Sequence, residues 1–155
     1  MRKPATLITG ANGEIGHGLI TTLHEENYRN IVAMDLNQPD KSITNYCSEE
    51  IIGNILDVDL IDQLNAEYEL DTIYHLAAML STRAEFSPQS AHDVNVGGTM
   101  NLLNLALEQG RSQGKQIKFF FPSSIAVYGL KNLEEKEFAG AIKENSYRNP
   151  STMYG

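Results

Sequence analysis

With 155 residues and 12 Lys and Arg against 20 Asp and Glu, the chain carries a formal charge of -8, which argues against nonspecific binding to nucleic acid or an anionic membrane, since both need basic surface. The length fits one domain that buries about two-thirds of its unfolded surface in a single core. The lone cysteine, Cys47, excludes an internal disulfide or a thiolate cluster and fits a reducing cytoplasm, and no run approaches the ~18 apolar residues of a membrane span.

The first apolar run, Ala5–Thr9, is far too short for a secretory signal and reads as a strand. It passes straight into Gly10-Ala11-Asn12-Gly13-Glu14-Ile15-Gly16 and a helix predicted over Gly13–Tyr28, with Ile15, Leu19 and Leu23 at i, i+4 and i+8. A strand, a glycine-punctuated turn and a helix in this order form a pyrophosphate cradle. Gly10 allows the tight turn, Gly13 lets backbone approach the phosphates, and Gly16 lets the helix lie close on the strand. The exposed N–H groups of the helix start then face the anion, a local field that outweighs the net charge because a Debye length of about 8 Å screens distant carboxylates.

A second strand, Ile31–Asp35, ends on a carboxylate about 20 residues after the glycines, where the adenosine ribose of a dinucleotide lies. Asp35 accepts from both ribose hydroxyls, whereas a 2′-phosphate about 4 Å away faces roughly 4 kcal/mol of repulsion at an effective dielectric near 20. No arginine follows to offset it, since the next residues are Leu36-Asn37-Gln38-Pro39. The cofactor indicated is therefore NAD.

Further strands are predicted over Ile51–Gly53, Thr72–Ala77 and Lys118–Ser123, with helices over Val58–Glu67 and Pro88–Gln109. The alternation predicts an α/β fold with a doubly wound parallel (Rossmann) sheet in the order 3-2-1-4-5, and the continuous apolar strands suit a sheet covered on both faces. Residues 78–88 read as a loop. Gly129–Asn149 is charged and irregular, predicted as a surface loop with a short helix, and Pro150–Gly155 as the start of a helix capped by Ser151. His17, His24, His75 and His92 show no ligand spacing, so no metal site is expected, and His75 reads as a packed strand residue.

Five segments in order give the chain a resemblance to the extended short-chain dehydrogenase/reductase family, which includes the nucleotide-sugar epimerases and dehydratases. Thr9–Gly16 resembles TGxxGxxG, His75-Leu76-Ala77-Ala78 the cofactor-lining segment after the fourth strand, and Asn95–Leu103 the NVxGTxNLL helix. Ser123–Gly129 resembles the active-site serine segment, and Tyr154-Gly155 the start of YxxxK. The resemblance implies that Ser124 hydrogen-bonds the substrate oxygen while Tyr154 moves its proton as hydride passes to or from NAD. Working near neutral pH asks a tyrosine to ionise about three pH units below its ordinary value near 10, roughly 4 kcal/mol, which in the family a lysine and the cationic nicotinamide supply.

That lysine falls three residues beyond Gly155. The chain is thus expected to be an NAD-binding Rossmann domain over residues 1–155, the N-terminal portion of a longer enzyme, unable to turn over by itself. The resemblance adds Leu76, Ala77, Ala78 and Asn95 to the cofactor contacts, and puts Asn54 and Ile55 beside the adenine, where many relatives carry Asp in place of Asn54. Asp57 and Asp59 stand nearby. Ser123 supports the site from behind, and Tyr128 fills beneath it.

Ser81 and Thr82, with Ser124, are the expected substrate contacts. Their segment, together with Pro122–Val127 and Pro150–Gly155, is similar to epimerase-like L-threonine 3-dehydrogenases, although the 129–149 loop departs from their pattern. The substrate implied is a nucleotide sugar or L-threonine, acted on at a secondary alcohol, and a homodimer is implied when full length. A non-catalytic dinucleotide-sensing module is the contrasting reading. A lysine three positions after Gly155 and about 150 further residues favour the enzyme; a stop codon favours the module.

Overall fold

The computed structural model describes residues 1–155. Strands β1 (Lys3–Thr9), β2 (Ile31–Asp35), β3 (Glu49–Ile52), β4 (Tyr68–His75) and β5 (Lys118–Phe120) form one parallel sheet in the order β3-β2-β1-β4-β5, as predicted. The helices are α1 (Glu14–Glu25), α2 (Lys41–Thr44), α3 (Val58–Glu67), α4 (Ser81–Phe86), α5 (Pro88–His92), α6 (Thr99–Gln113) and α7 (Leu133–Ala139). A π turn spans Asp93–Gly98 and a 3₁₀ turn Ile125–Val127. No helix is long and apolar enough to cross a membrane.

The chain divides into two compact units. One comprises Met1–Ala78 and Asp93–Pro122, the other Met79–His92 and Ser123–Gly155. The first holds the sheet, and neighbouring residues of its strands feed opposite faces. Leu7, Val32, Met34, Leu70 and Ile73 pack with Ile61, Leu64, Leu102 and Leu105 of α3 and α6. Ile8, Ile31 and Ala33 pack with Ile20, Leu23 and Ile43 of α1 and α2 on the other face. Two covered faces are the reason these strands read as continuous apolar runs.

Several element boundaries differ from the sequence expectation. Helix α1 stops three residues early: Asn27 adopts φ 69, and Tyr28 N–H returns to Leu23 O at 2.9 Å, a left-handed stop that only a short polar side chain or glycine takes readily. Strand β4 begins at Tyr68 rather than Thr72, because its first half alternates buried Tyr68 and Leu70 with exposed Glu69 and Asp71. Strand β3 begins on Glu49 and Glu50 at the sheet edge, and β5 ends before Pro122, which has no N–H to donate. The helix expected over 88–109 is α5, the π turn and α6.

In the second unit, the segment expected as a loop over 78–88 contains α4, and α7 is the short helix expected within 129–149, capped by Asn132. The expected helix at Ser151 is not formed. Residues 151–155 make bends, and it is the Thr152 hydroxyl, not Ser151, that accepts a backbone N–H, from Gly155 at 3.1 Å. A lone first turn fixes several torsions for one hydrogen bond, so the local side-chain turn prevails.

Candidate functional site

Open α/β sheets bind ligands outside the carboxyl ends of the strands where the order reverses, here between β1 and β4. The chain leaves β1 at Thr9 and turns through Gly10, whose φ of +70 suits glycine. A Cβ on Gly10 would lie 2.6 Å from the Ala77 nitrogen, so the corner and the β4 exit touch backbone to backbone. Gly16 is equally constrained, since its Cβ would meet Ala11 O at 2.4 Å and Gly10 O at 2.6 Å. Gly13 caps α1 without a side-chain hydrogen bond and, with Glu14 and Ile15, is exposed at the helix start. Backbone N–H groups are therefore presented where an anion is favoured.

Asp35 lies beside this corner. Its carboxylate accepts from Asn12 N–H at 3.0 Å and from Asn37 N–H at 3.2 Å. The Asn12 side chain ties the corner to the segment after β2: its Oδ1 accepts from Asp40 N–H at 3.0 Å, and its Nδ2 donates to Gln38 O at 3.4 Å. With Oδ1 so oriented, His17 Nε2, 3.3 Å away, is the donor to it. Asp40 is held below the usual carboxylate range chiefly by the backbone N–H of Ser42. The Asn12 latch is invisible in the sequence, where only a short amide inside a glycine turn hints at it.

The structure brings Leu76, Ala77 and Ala78 to the same crevice: Leu76 N–H donates to Thr9 O at 3.0 Å, and Ala77 N–H to Thr9 Oγ1 at 3.4 Å. Asn54 is exposed after β3, its Oδ1 accepting from Leu56 N–H at 3.0 Å. Ile55 is turned inward. Its side chain is buried and presses on Gly98, where a Cβ would come within 2.3 Å of it. Asp57 caps α3 through Leu60 N–H at 3.1 Å, and Asp59 is a first-turn carboxylate, the favourable sign at a helix start.

His75, at the end of β4, is 1 % exposed. Its Nδ1 lies 2.9 Å from Thr9 Oγ1 and its Nε2 2.9 Å from Thr99 Oγ1, which donates onward to Asn95 O at 2.6 Å. Burial pushes its pKa down to about 4. Asn95 sits half-buried in the π turn, a rare bulge that concentrates at functional sites. The pairing of His75 with Thr99 spans 24 residues, and no local pattern announces it.

The second unit holds Ser81, Thr82, Ser124 and Tyr154. Ser81 and Thr82 are exposed on α4. Ser124 caps the 3₁₀ turn, its Oγ accepting from Ala126 N–H at 3.2 Å. Gly155 is packed so close to Ala126 that a Cβ on it would lie 2.1 Å from Ala126 O, which brings half-buried Tyr154 to the turn that Ser124 caps. Met153 N–H donates to Glu85 of α4 at 2.7 Å, anchoring the Tyr154 segment to the helix carrying Ser81 and Thr82. Ser123 is exposed, and Tyr128 is half-buried.

Sheet order, glycine corner and the carboxylate at the end of β2 define a Rossmann-like α/β fold. The chain belongs to the NAD dependent epimerase/dehydratase family, whose pattern matches residues 6–155. An uncharacterised epimerase/dehydratase of Staphylococcus aureus (strain USA300) is 36% identical over 152 residues, which are 96% of this chain and 43% of that protein. The L-threonine dehydrogenase of Clostridium difficile is similar in structure, with a TM-score of 0.77 and 32% identity over 100% of this chain and 46% of its own. A UDP-glucose 4-epimerase superposes with a TM-score of 0.77 at 25% identity, over 97% of this chain and 43% of its own. The chain thus spans less than half the length of the relatives it matches.

Proposed function

We propose that the protein is an NAD-dependent oxidoreductase or epimerase acting by hydride transfer at a secondary alcohol, of the nucleotide-sugar epimerase/dehydratase type. The observation that carries this reading is the glycine corner facing Asp35, whose carboxylate is aimed by the amides of Asn12 and Asn37. The corner fits the cofactor: a Cβ at Gly10 would collide with backbone, and the helix start offers unserved N–H groups to a diphosphate. When bound, NAD supplies the hydride acceptor. Asp35 takes the ribose hydroxyls, Ser124 holds the substrate hydroxyl, and Tyr154 takes its proton and later returns it. Gly10, Asn12, Gly13, Glu14, Ile15, Gly16, Asn54, Ile55, Leu76, Ala77, Ala78 and Asn95 line the cofactor, and Ser81 and Thr82 touch substrate.

L-threonine oxidation is the second reading, favoured by the 32% identity to a solved L-threonine dehydrogenase against 25% to the UDP-glucose epimerase. In either case the protein, when full length, works as a cytoplasmic homodimer. Val96, Met100, Leu103 and Leu107, an exposed apolar stripe along the π turn and α6, support the self-association.

Calorimetric titration is expected to give saturable heat with NAD and affinity for NADP weaker by about two orders of magnitude or more. Absence of heat from NAD at millimolar concentration would refute the reading. A panel of L-threonine, UDP-sugars and dTDP-sugars given to the full-length protein, followed by NADH absorbance and sugar product, separates the two substrates.

A further inference from the structure

We propose that His75 is a positioning residue of the nucleotide corner: held as the Nε2–H tautomer, it carries one directed chain of hydrogen bonds from the end of β1 to the π turn. The proposal rests on the corner being a dinucleotide site, and it adds the element that holds that site in shape.

The direction follows from counting hydrogens. A carbonyl oxygen only accepts, so the single hydroxyl hydrogen of Thr99 is committed to Asn95 O, 2.6 Å away. Thr99 Oγ1 then offers His75 a lone pair, and the proton between them, across 2.9 Å, belongs to Nε2. The ring is neutral, since it is buried, meets two hydroxyls and the Phe119 and Phe121 rings, and has no carboxylate among these partners. Nδ1 is therefore bare and accepts from Thr9 Oγ1 at 2.9 Å. The remaining lone pair of Thr9 Oγ1 faces Ala77 N–H at 3.4 Å. Each hydrogen in the run Ala77, Thr9, His75, Thr99, Asn95 has one place.

The two ends are what make this more than core packing. Thr9 directly precedes Gly10, and Ala77 is the residue against which Gly10 is pressed. Asn95 lies in the π turn. An apolar ring of the same size would fill the space behind the crevice but leave the corner and the turn free to shift against each other, and sub-ångström placement of backbone donors governs how well an anion is held.

Nuclear magnetic resonance of the protein labelled with ¹⁵N-histidine reads the tautomer: a pyrrole-type, protonated Nε2 and a pyridine-type Nδ1 are expected for His75. Thr99→Val keeps the side-chain size and removes the acceptor. It is expected to give a mixed His75 tautomer and, by removing the hydroxyl that accepts from His75 and donates to Asn95, to weaken NAD binding in calorimetry by about three- to ten-fold. Thr99→Ser is expected to restore both. A proton on Nδ1, or T99V binding NAD as tightly as the unaltered protein, overturns the proposal while leaving the cofactor reading intact. If the unaltered protein binds no NAD, the cofactor reading falls and takes this proposal with it.

Discussion

Gly10 shows how much one absent Cβ decides. At φ +70 an L side chain is strained by about 1–2 kcal/mol, and the added methyl would also lie 2.6 Å from the Ala77 nitrogen, in backbone that has nowhere to retreat. Gly10→Ala is therefore expected to lower stability by about 2–4 kcal/mol in urea unfolding and to weaken NAD binding, whereas Gly18→Ala, in open space on α1, is expected to be neutral or stabilising. Equal midpoints for the two variants would refute this account of the corner. Gly10, Gly13, Gly16 and Asp35 were all legible because each obeys a local rule of turn or strand end. The ties of Asn12 to Asp35 and Asp40 and of Thr99 to His75 were not, since these partners lie 23 to 28 and 24 residues away and depend on the fold already being in place.

At the level of elements, β4 and α6 solve a problem that strand pairing leaves open. Strand β5 reaches β4 only from Thr72 onward, so the earlier half of β4 has β1 on one side and no strand on the other. Two glutamines one helical turn apart on α6 stand in for it: Gln109 Oε1 accepts from Leu70 N–H at 2.9 Å, and Gln113 Nε2 donates to Leu70 O at 2.8 Å. Gln109 Nε2 also donates to Tyr68 O at 3.0 Å and to Asn65 Oδ1 at 2.8 Å. Gln109→Leu, which takes the glutamine partner from Leu70 N–H and Tyr68 O while Gln113 still serves Leu70 O, is expected to cost about 2–4 kcal/mol and to raise hydrogen exchange at Leu70 before the rest of the sheet. Unchanged protection at Leu70 would count against it. The sequence made the strand centres plain through their apolar runs, but the first half of β4 follows a period of two with a register shift near Thr6, and hydrophobicity alone does not disclose that.

For the whole molecule, the buried imidazole of His75 ties folding to acidity. Its pKa falls from an ordinary 6.5 to about 4 in the folded chain, so between these values the unfolded chain binds a proton that the folded one refuses. Above pH ~6.5 both states are neutral here and nothing changes. As pH drops from ~6.5 towards ~4 stability is lost, in total by about 3 kcal/mol, and below that the loss levels off. His75→Gln, compared with the unaltered protein in urea unfolding at a series of pH values, is expected to show a shallower decline in that window; parallel curves would refute the assignment. The fold class and strand order were readable end to end because covered strands, glycine turn and alternating helices agree with one another. The division into two units was not, because the second unit is assembled from residues 79–92 and 123–155, separated by a π turn, a helix and a strand of the first.

The latch at Asn12 has a chemical consequence for how the molecule ages. Asparagine followed by glycine is the pair most prone to lose ammonia, because the next backbone nitrogen can swing round and attack the side-chain carbonyl. Here that nitrogen, of Gly13, is occupied with Gly10 O at 3.1 Å, and the carbonyl is pinned by Asp40 and His17. The folded chain thus shields its own weakest covalent spot. Each excursion into the unfolded state exposes it, and the aspartate so formed would set a second negative charge beside Asp35, eroding the cradle one deamidation at a time.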